Sequence, residues 1–384
     1  MLGGVATSLG ACGASQPAQQ PEQNAESSAE EGNGAAGTAT GQQAPAQQQS
    51  LPQVEWRMTT SWVQALDILQ GAAQAIGDKV AEMTGGRFTI QVFEAGEIVP
   101  GLQVLDAVGE GTVECGHTAA YYYIGKNSAF GIATTLPFGL TAQQQNAWLY
   151  HGGGLEAVQR VYNDFGVINF PAGNTGVQMG GWFKNEIQTL DDLKALRFRI
   201  PGLGGQVMQR LGVDTQTLAG GEIFLALDRG AIDAAEWVGP YDDEKLGLNE
   251  AADYYYAPGW WEPGSTLDVL VNKQAWEQLP PEYQSIFKTA AAEANVTMLS
   301  LYEARNQEAL ERMVTGGTQL RFYSQEIMEA AQEAAFELYE ENASENPAFK
   351  EMYDGWKTFR EQIYQWNGTN ESRFMSFVTQ MMQQ

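Results

Sequence analysis

Two short stretches decide the fold, Gly111–His117 (GTVECGH) and Gly230–Glu236 (GAIDAAE). Each opens on Gly, then runs through a small residue, a β-branched residue, an acid and two small residues. Each follows a short amphipathic helix. Upstream, Ala95-Gly96-Glu97-Ile98 is echoed by Ala219-Gly220-Gly221-Glu222-Ile223. The same loop–helix–strand unit therefore reads twice, which points to two related α/β lobes with a cleft between them. Ordinary βαβ grammar alone is the other source of such an echo.

Working outward, strands alternate with helices, the pattern of an α/β fold with parallel pairing. A strand is predicted at Val54–Met58 and a helix at about Ala65–Met83, ended by Gly85-Gly86. A second strand covers Arg87–Phe93, and a helix covers about Leu102–Val108. A long helix is predicted over Pro281–Thr315. Its apolar stripe is Tyr283, Ile286, Phe287, Ala290, Ala291, Ala294, Met298 and Leu301, and Pro281 suits its first turn. The stretch 325–384 is helical in pattern and carries Tyr353, Trp356, Phe359, Tyr364, Trp366, Phe374 and Phe377. Those aromatics pack on the lobes or form a dimer contact.

The composition narrows the function. Formal net charge is −26, with 21 Lys and Arg, so phosphate backbones are repelled and nucleic acid is a poor partner. A small anion needs a local positive site. Two Cys and two His exclude a disulfide framework and disfavour a Cys/His zinc site. Up to Pro52 the chain is Ala, Gln, Gly, Ser and Glu with almost no aromatics; from Gln53 onward it is rich in them. The expected organisation is a signal at 1–12, a disordered tether at 13–52 and a two-lobed domain at 53–384. Lobe one covers about 53–172 plus later returning segments, lobe two about 173–265, and a helical region about 281–384.

The residues Leu9-Gly10-Ala11-Cys12 resemble a bacterial lipoprotein signal, in which small residues precede a Cys that becomes lipidated. The first basic residue is Arg57, so the charged region that normally opens such a signal is expected upstream of Met1. An ordinary disordered tail is the alternative.

Four residues could carry chemistry. Arg199 ends the strand-like run Arg197-Phe198-Arg199, and a helix follows near Leu203. A guanidinium fork beside a helix N-terminus suits a carboxylate; a surface arginine is the plain alternative. Glu236 interrupts an apolar run before Trp237-Val238-Gly239-Pro240, and Glu262 stands among Trp260, Trp261, Pro263 and Gly264. Gln178 is a polar residue in a buried-looking strand. Acids so placed are costly unless paired or metal-bound, and oxygen ligands of this kind suit a hard cation, Na⁺ or Ca²⁺. Paired carboxylates near aromatics also describe a glycoside hydrolase. The Gly202-Leu203-Gly204 run is not a dinucleotide loop, because Val207 replaces the third glycine and Pro201 interrupts the turn. No G-x-S-x-G, H-E-x-x-H or Walker motif is present.

The stretches FRIPGLGGQVMQRLG, GGEIFLALDRGAIDAAEWVGPYDDEKLGL and YYYAPGWWEPGS resemble the periplasmic receptors of tripartite ATP-independent (TRAP) transporters, and within them the binders of 2-oxo acids and lactate. The resemblance covers the chain from about Gln53, and AEWVGPYDD and GWWEPG make it specific. It implies a non-enzymatic receptor in the periplasm; the lipoprotein-like signal, outside the resemblance, adds the expectation of a tether at Cys12 to the outer face of the cytoplasmic membrane. Such a receptor delivers a small monocarboxylate, such as pyruvate or lactate, to the membrane permease subunits. It implies that Arg199 pairs with the carboxylate. It also implies that Gln178, Glu236, the Trp237 carbonyl and Glu262 hold a cation, with the substrate completing the shell. Trp62 and the run Tyr121-Tyr122-Tyr123 would line the wall; strand-like alternation allows Tyr122 or its two neighbours. The C-terminal helix would mediate a homodimer. A secreted hydrolase using Glu236 and Glu262, and a ligand sensor without transport, are the competing readings.

Overall fold

A computed structural model describes residues 51–382; Cys12 and the tether through Ser50 lie outside the described residues. The strands in chain order are β1 Val54–Thr60, β2 Phe88–Phe93, β3 Cys115–Thr118, β4 Val167–Asn174, β5 Trp182–Phe183, β6 Arg197–Arg199, β7 Asp214–Gln216, β8 Ala234–Ala235, β9 Tyr254–Ala257, β10 Thr266–Asn272 and β11 Gln319–Phe322. They form two sheets, ordered β2-β1-β3-β10-β4 and β7-β6-β8-β5-β9-β11.

The two sheets have the same plan. In the first, β2, β1 and β3 run parallel and β10 is antiparallel beside β3. In the second, β7, β6 and β8 run parallel and β5 is antiparallel beside β8. Helices Asp67–Thr84 and Val104–Gly109 connect the first trio, and Gly202–Arg210 and Gly220–Asp228 the second. The GTVECGH and GAIDAAE stretches thus lead into equivalent strands, β3 and β8. Both opening glycines are left-handed, with φ 73° at Gly111 and 72° at Gly230. A side chain there would strain the turn that sends the chain from helix back to strand.

The antiparallel members were not part of the expected pairing, and they show how the halves are joined. The chain crosses from β4 to β5 through residues 175–181, and returns from β9 to β10 through 258–265. The third crossing is the helix Pro281–Thr315, with Pro281 in its first turn. Its 35 residues extend about 52 Å at 1.5 Å per residue. It packs on helix 67–84 and β4 of one half and on the short helix Pro240–Lys245 of the other. The buried stripe runs Tyr283, Phe287, Ala290, Ala291, Ala294, Met298 and then Tyr302, Ala309 and Met313. Leu301, expected on the stripe, is exposed. Its neighbour Tyr302 is buried instead and donates its hydroxyl to Asp242 Oδ2 at 2.7 Å.

After β11 come the helices Gln325–Glu345, Pro347–Thr369 and Glu371–Met382. The C-terminal aromatics divide. Tyr353 and Trp356 are core residues, packed with Tyr339 and Phe349, whereas Trp366, Phe374 and Phe377 are exposed.

Candidate functional site

Arg199 ends β6 opposite Ala235 of β8, so Glu236, the next residue, lies beside its side chain. Both are fully enclosed, at 1% and 0% exposure. Arg199 Nη1 donates to the Glu236 carbonyl at 2.9 Å and to Glu236 Oε1. Its Nε and Nη2 converge on the Leu218 carbonyl at 3.1 and 3.0 Å. The guanidinium also lies 5.0 Å from the Trp237 ring centroid, within cation–π range. The surface arginine is Arg197, which grips Asp233 with Nε and Nη2 at 2.9 and 2.6 Å. Burial works to lower the Arg199 pKa and is the largest single influence, but Glu236, Tyr122, Tyr121 and Glu262 together outweigh it and the net shift is upward. Burial raises the Glu236 carboxyl well above its ordinary range against the pull of Arg199, and the nearby Glu262 raises it further.

The other acid and the amide come from the two strand crossings, which are bonded to each other. Gln178 N donates to Glu262 O at 3.0 Å, and Gly259 N to Gln178 O at 2.8 Å. Ser265 Oγ donates to Glu262 Oε2 at 2.6 Å. Burial pushes the Glu262 carboxyl up to about 7, opposed by the Ser265 hydrogen bond, Arg199 and Gln178. Gln178 Oε1 and Glu236 Oε2 are buried with no hydrogen-bond partner. Unpaired buried oxygens are costly, and native proteins retain them where a ligand or ion completes them. Two carboxylates, an amide oxygen and the adjoining Trp237 backbone are the donor types of a hard cation. Among the described residues no three His, Cys, Asp or Glu side chains cluster, so this centre lacks the donors of a transition-metal site. The residues present fit Na⁺ or Ca²⁺.

A narrow cleft reaches two of these residues, Gln178 and Trp237; Trp62, Leu69, Tyr121, Tyr122, Thr175, Val238 and Leu267 complete its lining, and Arg199, Glu236 and Glu262 lie behind that wall. Trp62 stands 6.4 Å from both Tyr122 and Trp237 between ring centroids. Burial pushes the Tyr122 hydroxyl up to about 12, with Arg199 beside it pulling the other way. The tyrosine run is a 3-10 turn, Ala120–Tyr123, so strand-like alternation does not apply. Tyr121 and Tyr122 both reach the cleft, while Tyr123 turns away to Thr118 Oγ1 at 2.8 Å and Leu105 N at 3.2 Å. Leu69, Thr175, Val238 and Leu267 were not singled out from sequence. They belong to apolar faces and strand ends whose neighbours only the tertiary fold supplies. A larger open groove beside Glu55, Glu110, Glu114 and Lys273 contains none of the unpaired buried side-chain atoms, so size does not mark the site.

Two similar α/β lobes, joined by crossing segments that carry Gln178 and Glu262 and standing beside the buried Arg199–Glu236 pair, have the plan of a solute-binding protein. The family of bacterial extracellular solute-binding proteins, family 7, matches residues 59–346, and the chain belongs to it. A monocarboxylate 2-oxoacid-binding periplasmic protein of Nostoc sp. is 66% identical over 86% of this chain and 91% of its own length. Among solved structures, a TRAP transporter solute-binding protein of Bordetella bronchiseptica, with copurified calcium and picolinate, is 45% identical with TM-score 0.85. It covers 86% of this chain and 98% of that one. A TRAP periplasmic solute-binding protein of Pseudoalteromonas atlantica, with sodium and pyruvate, is 36% identical with TM-score 0.82, covering 84% and 99%. The chain is therefore a receptor of the TRAP type and not an enzyme, as its motifs implied.

Proposed function

We propose that this receptor takes a small 2-oxo or 2-hydroxy monocarboxylate, pyruvate and lactate among them, together with Na⁺ or Ca²⁺, and passes it to the permease subunits of its transporter. The observation that carries the reading is the pair of unpartnered buried oxygens, Gln178 Oε1 and Glu236 Oε2, beside the buried Arg199. Arg199 is the carboxylate partner: an incoming carboxylate competes with Glu236 for Nη1. Gln178, Glu236, the Trp237 carbonyl and Glu262 hold the cation, which supplies a positive charge for the ligand's remaining oxygens. Trp62, Tyr121, Tyr122 and Trp237 enclose the acid and exclude water. Glu236 and Glu262 are enclosed and devoted to these contacts, and nothing favours the hydrolase reading.

The lobes are proposed to divide near residues 172–173 and 265 and to hinge on the segments 175–181 and 258–265. The exposed Trp366, Phe374, Phe377 and Met381 of the last two helices support a homodimer through that end. Lipid anchoring at Cys12 through residues 13–52 is the localisation this reading expects; membrane release of a Cys12→Ala chain tests it.

The deciding experiment is thermal unfolding of the full chain with pyruvate, lactate or a dicarboxylate, each in Ca²⁺, Na⁺ or chelator. An acid at about 100 times its dissociation constant stabilises the fold by about 2.7 kcal/mol. A shift with pyruvate that shrinks in chelator is the expected result. No shift with any monocarboxylate, once copurified ligand is removed, overturns the assignment.

A further inference from the structure

The oxygens of the proposed cation site need aiming, and two hydroxyls one step behind them are placed to do it. Thr175 and Ser265 are the residues at which the two crossing segments meet: Thr175 N donates to Ser265 O at 3.1 Å. Both are buried, at 3% and 0% exposure. The Thr175 hydroxyl faces the Gly176 carbonyl at 3.3 Å. A carbonyl only accepts, so the hydroxyl proton is committed there and the Thr175 lone pair must meet a donor. That donor is Gln178 Nε2, at 3.1 Å. With its NH₂ group held, the Gln178 amide cannot turn over, and Oε1 is left as the unpartnered atom. Ser265 acts in the same way on the other segment. Its Oγ–H donates to Glu262 Oε2 at 2.6 Å, which fixes the carboxylate by one oxygen.

We propose that Thr175 and Ser265 are the positioning residues of the cation site, together orienting Gln178 Oε1 and the Glu262 carboxylate from the point where the crossing segments join. The proposal rests on the cation reading above. Outer-shell partners of this kind typically change metal affinity about 10–100-fold when removed. Asn174 keeps the frame rigid independently of them. Its Oδ1 accepts from Gly176 N at 2.9 Å, and its Nδ2 reaches Gly264 O and Thr266 Oγ1 at 3.3 and 3.4 Å.

The test is Ca²⁺ titration by calorimetry in saturating pyruvate, on the full chain and on Thr175→Val, Thr175→Ser and Ser265→Ala, with melting of each protein in chelator. Thr175→Val keeps the shape and removes the lone pair; Thr175→Ser keeps the hydroxyl. The expected result is a Ca²⁺ affinity about 10–100-fold weaker in Thr175→Val and Ser265→Ala. Thr175→Ser should recover most of that loss, and melting in chelator should be little changed. Unchanged Ca²⁺ affinity in Thr175→Val overturns the proposal while leaving the cation site standing. Equal losses in Thr175→Val and Thr175→Ser, with matching falls in chelator melting, overturn it in favour of a purely structural threonine. A wild-type chain indifferent to both Ca²⁺ and Na⁺ overturns the cation reading itself.

Discussion

Trp62 Nε1 donates to His117 Nδ1 at 2.7 Å, and His117 Nε2 lies 3.2 Å from the Ala172 carbonyl. Because Nδ1 accepts and the carbonyl can only accept, His117 is the neutral Nε2–H tautomer. The wall of the cleft is thus braced through β3 onto β4, in the first sheet.

That geometry has a pH signature. Burial lowers the His117 pKa to about 4, with the Ala172 hydrogen bond opposing, against about 6.5 in the unfolded chain. The folded state refuses a proton that the unfolded state takes. Its stability contribution is therefore complete above about pH 6.5 and is lost as pH falls toward 4, by on the order of 3 kcal/mol. His117→Asn should lack that slope. The check is the wild-type minus variant unfolding free energy between pH 7 and pH 4; a flat difference refutes the assignment.

Asp268 should do the opposite. It is buried at the centre of the first sheet, accepting from Asn169 Nδ2 at 3.0 Å and from the Tyr162 hydroxyl at 3.1 Å. Burial pushes its carboxyl up to about 7, against the pull of those two hydrogen bonds. The folded state holds its proton more tightly, so stability falls as pH rises from about 4 to about 7. Asp268→Asn keeps an acceptor for Asn169 Nδ2, turns the other bond into a donor to the Tyr162 oxygen, and removes the titration. The variant should gain on wild type by on the order of 3–4 kcal/mol between pH 4 and pH 8, read from denaturant melts at each pH.

Replacing Arg199 separates charge from shape. Arg199→Lys retains a cation against Glu236 but loses the fork and the contacts to Leu218. Pyruvate affinity should fall about 10–100-fold, the worth of a charge-assisted bidentate pair. Arg199→Ala is a poorer probe, since stripping one partner from a buried ion pair costs about 3–5 kcal/mol of stability. Calorimetry on Arg199→Lys showing wild-type affinity would remove Arg199 from the ligand site.

The last helix offers a separate test. Its residues Phe374, Phe377, Met381 and Met382 are all more than half exposed, an apolar face with nothing over it in the single chain. Deleting 371–384 should convert a dimer to a monomer by sedimentation velocity while leaving pyruvate binding intact. A full chain that is monomeric at high concentration removes the dimer from the proposal.

Much of this was legible beforehand because it is written in local grammar. The repeated Gly-led stretch named two equivalent strands, and Pro281–Thr315 could be bounded to the residue by its proline and its periodicity. Glu236, Glu262 and Gln178 stood out because each breaks an apolar or aromatic run, and Arg199 because it ends a strand just before a helix. What was not legible depends on distant pairing. Nothing local says that 175–181 and 258–265 lie side by side, so Thr175 and Ser265 read as ordinary strand-end residues. The tyrosine run failed for a different reason. A three-residue turn and a strand place the same side chains differently, and the sequence carries no period long enough to tell them apart.

The helix Pro281–Thr315 has no glycine and no proline beyond its first residue. Kinks in helices arise mostly at such residues or at ladder defects, so this one behaves as a stiff rod bolted to both halves. Both halves pack on this one rod, so a displacement that bends it works against its backbone hydrogen bonds.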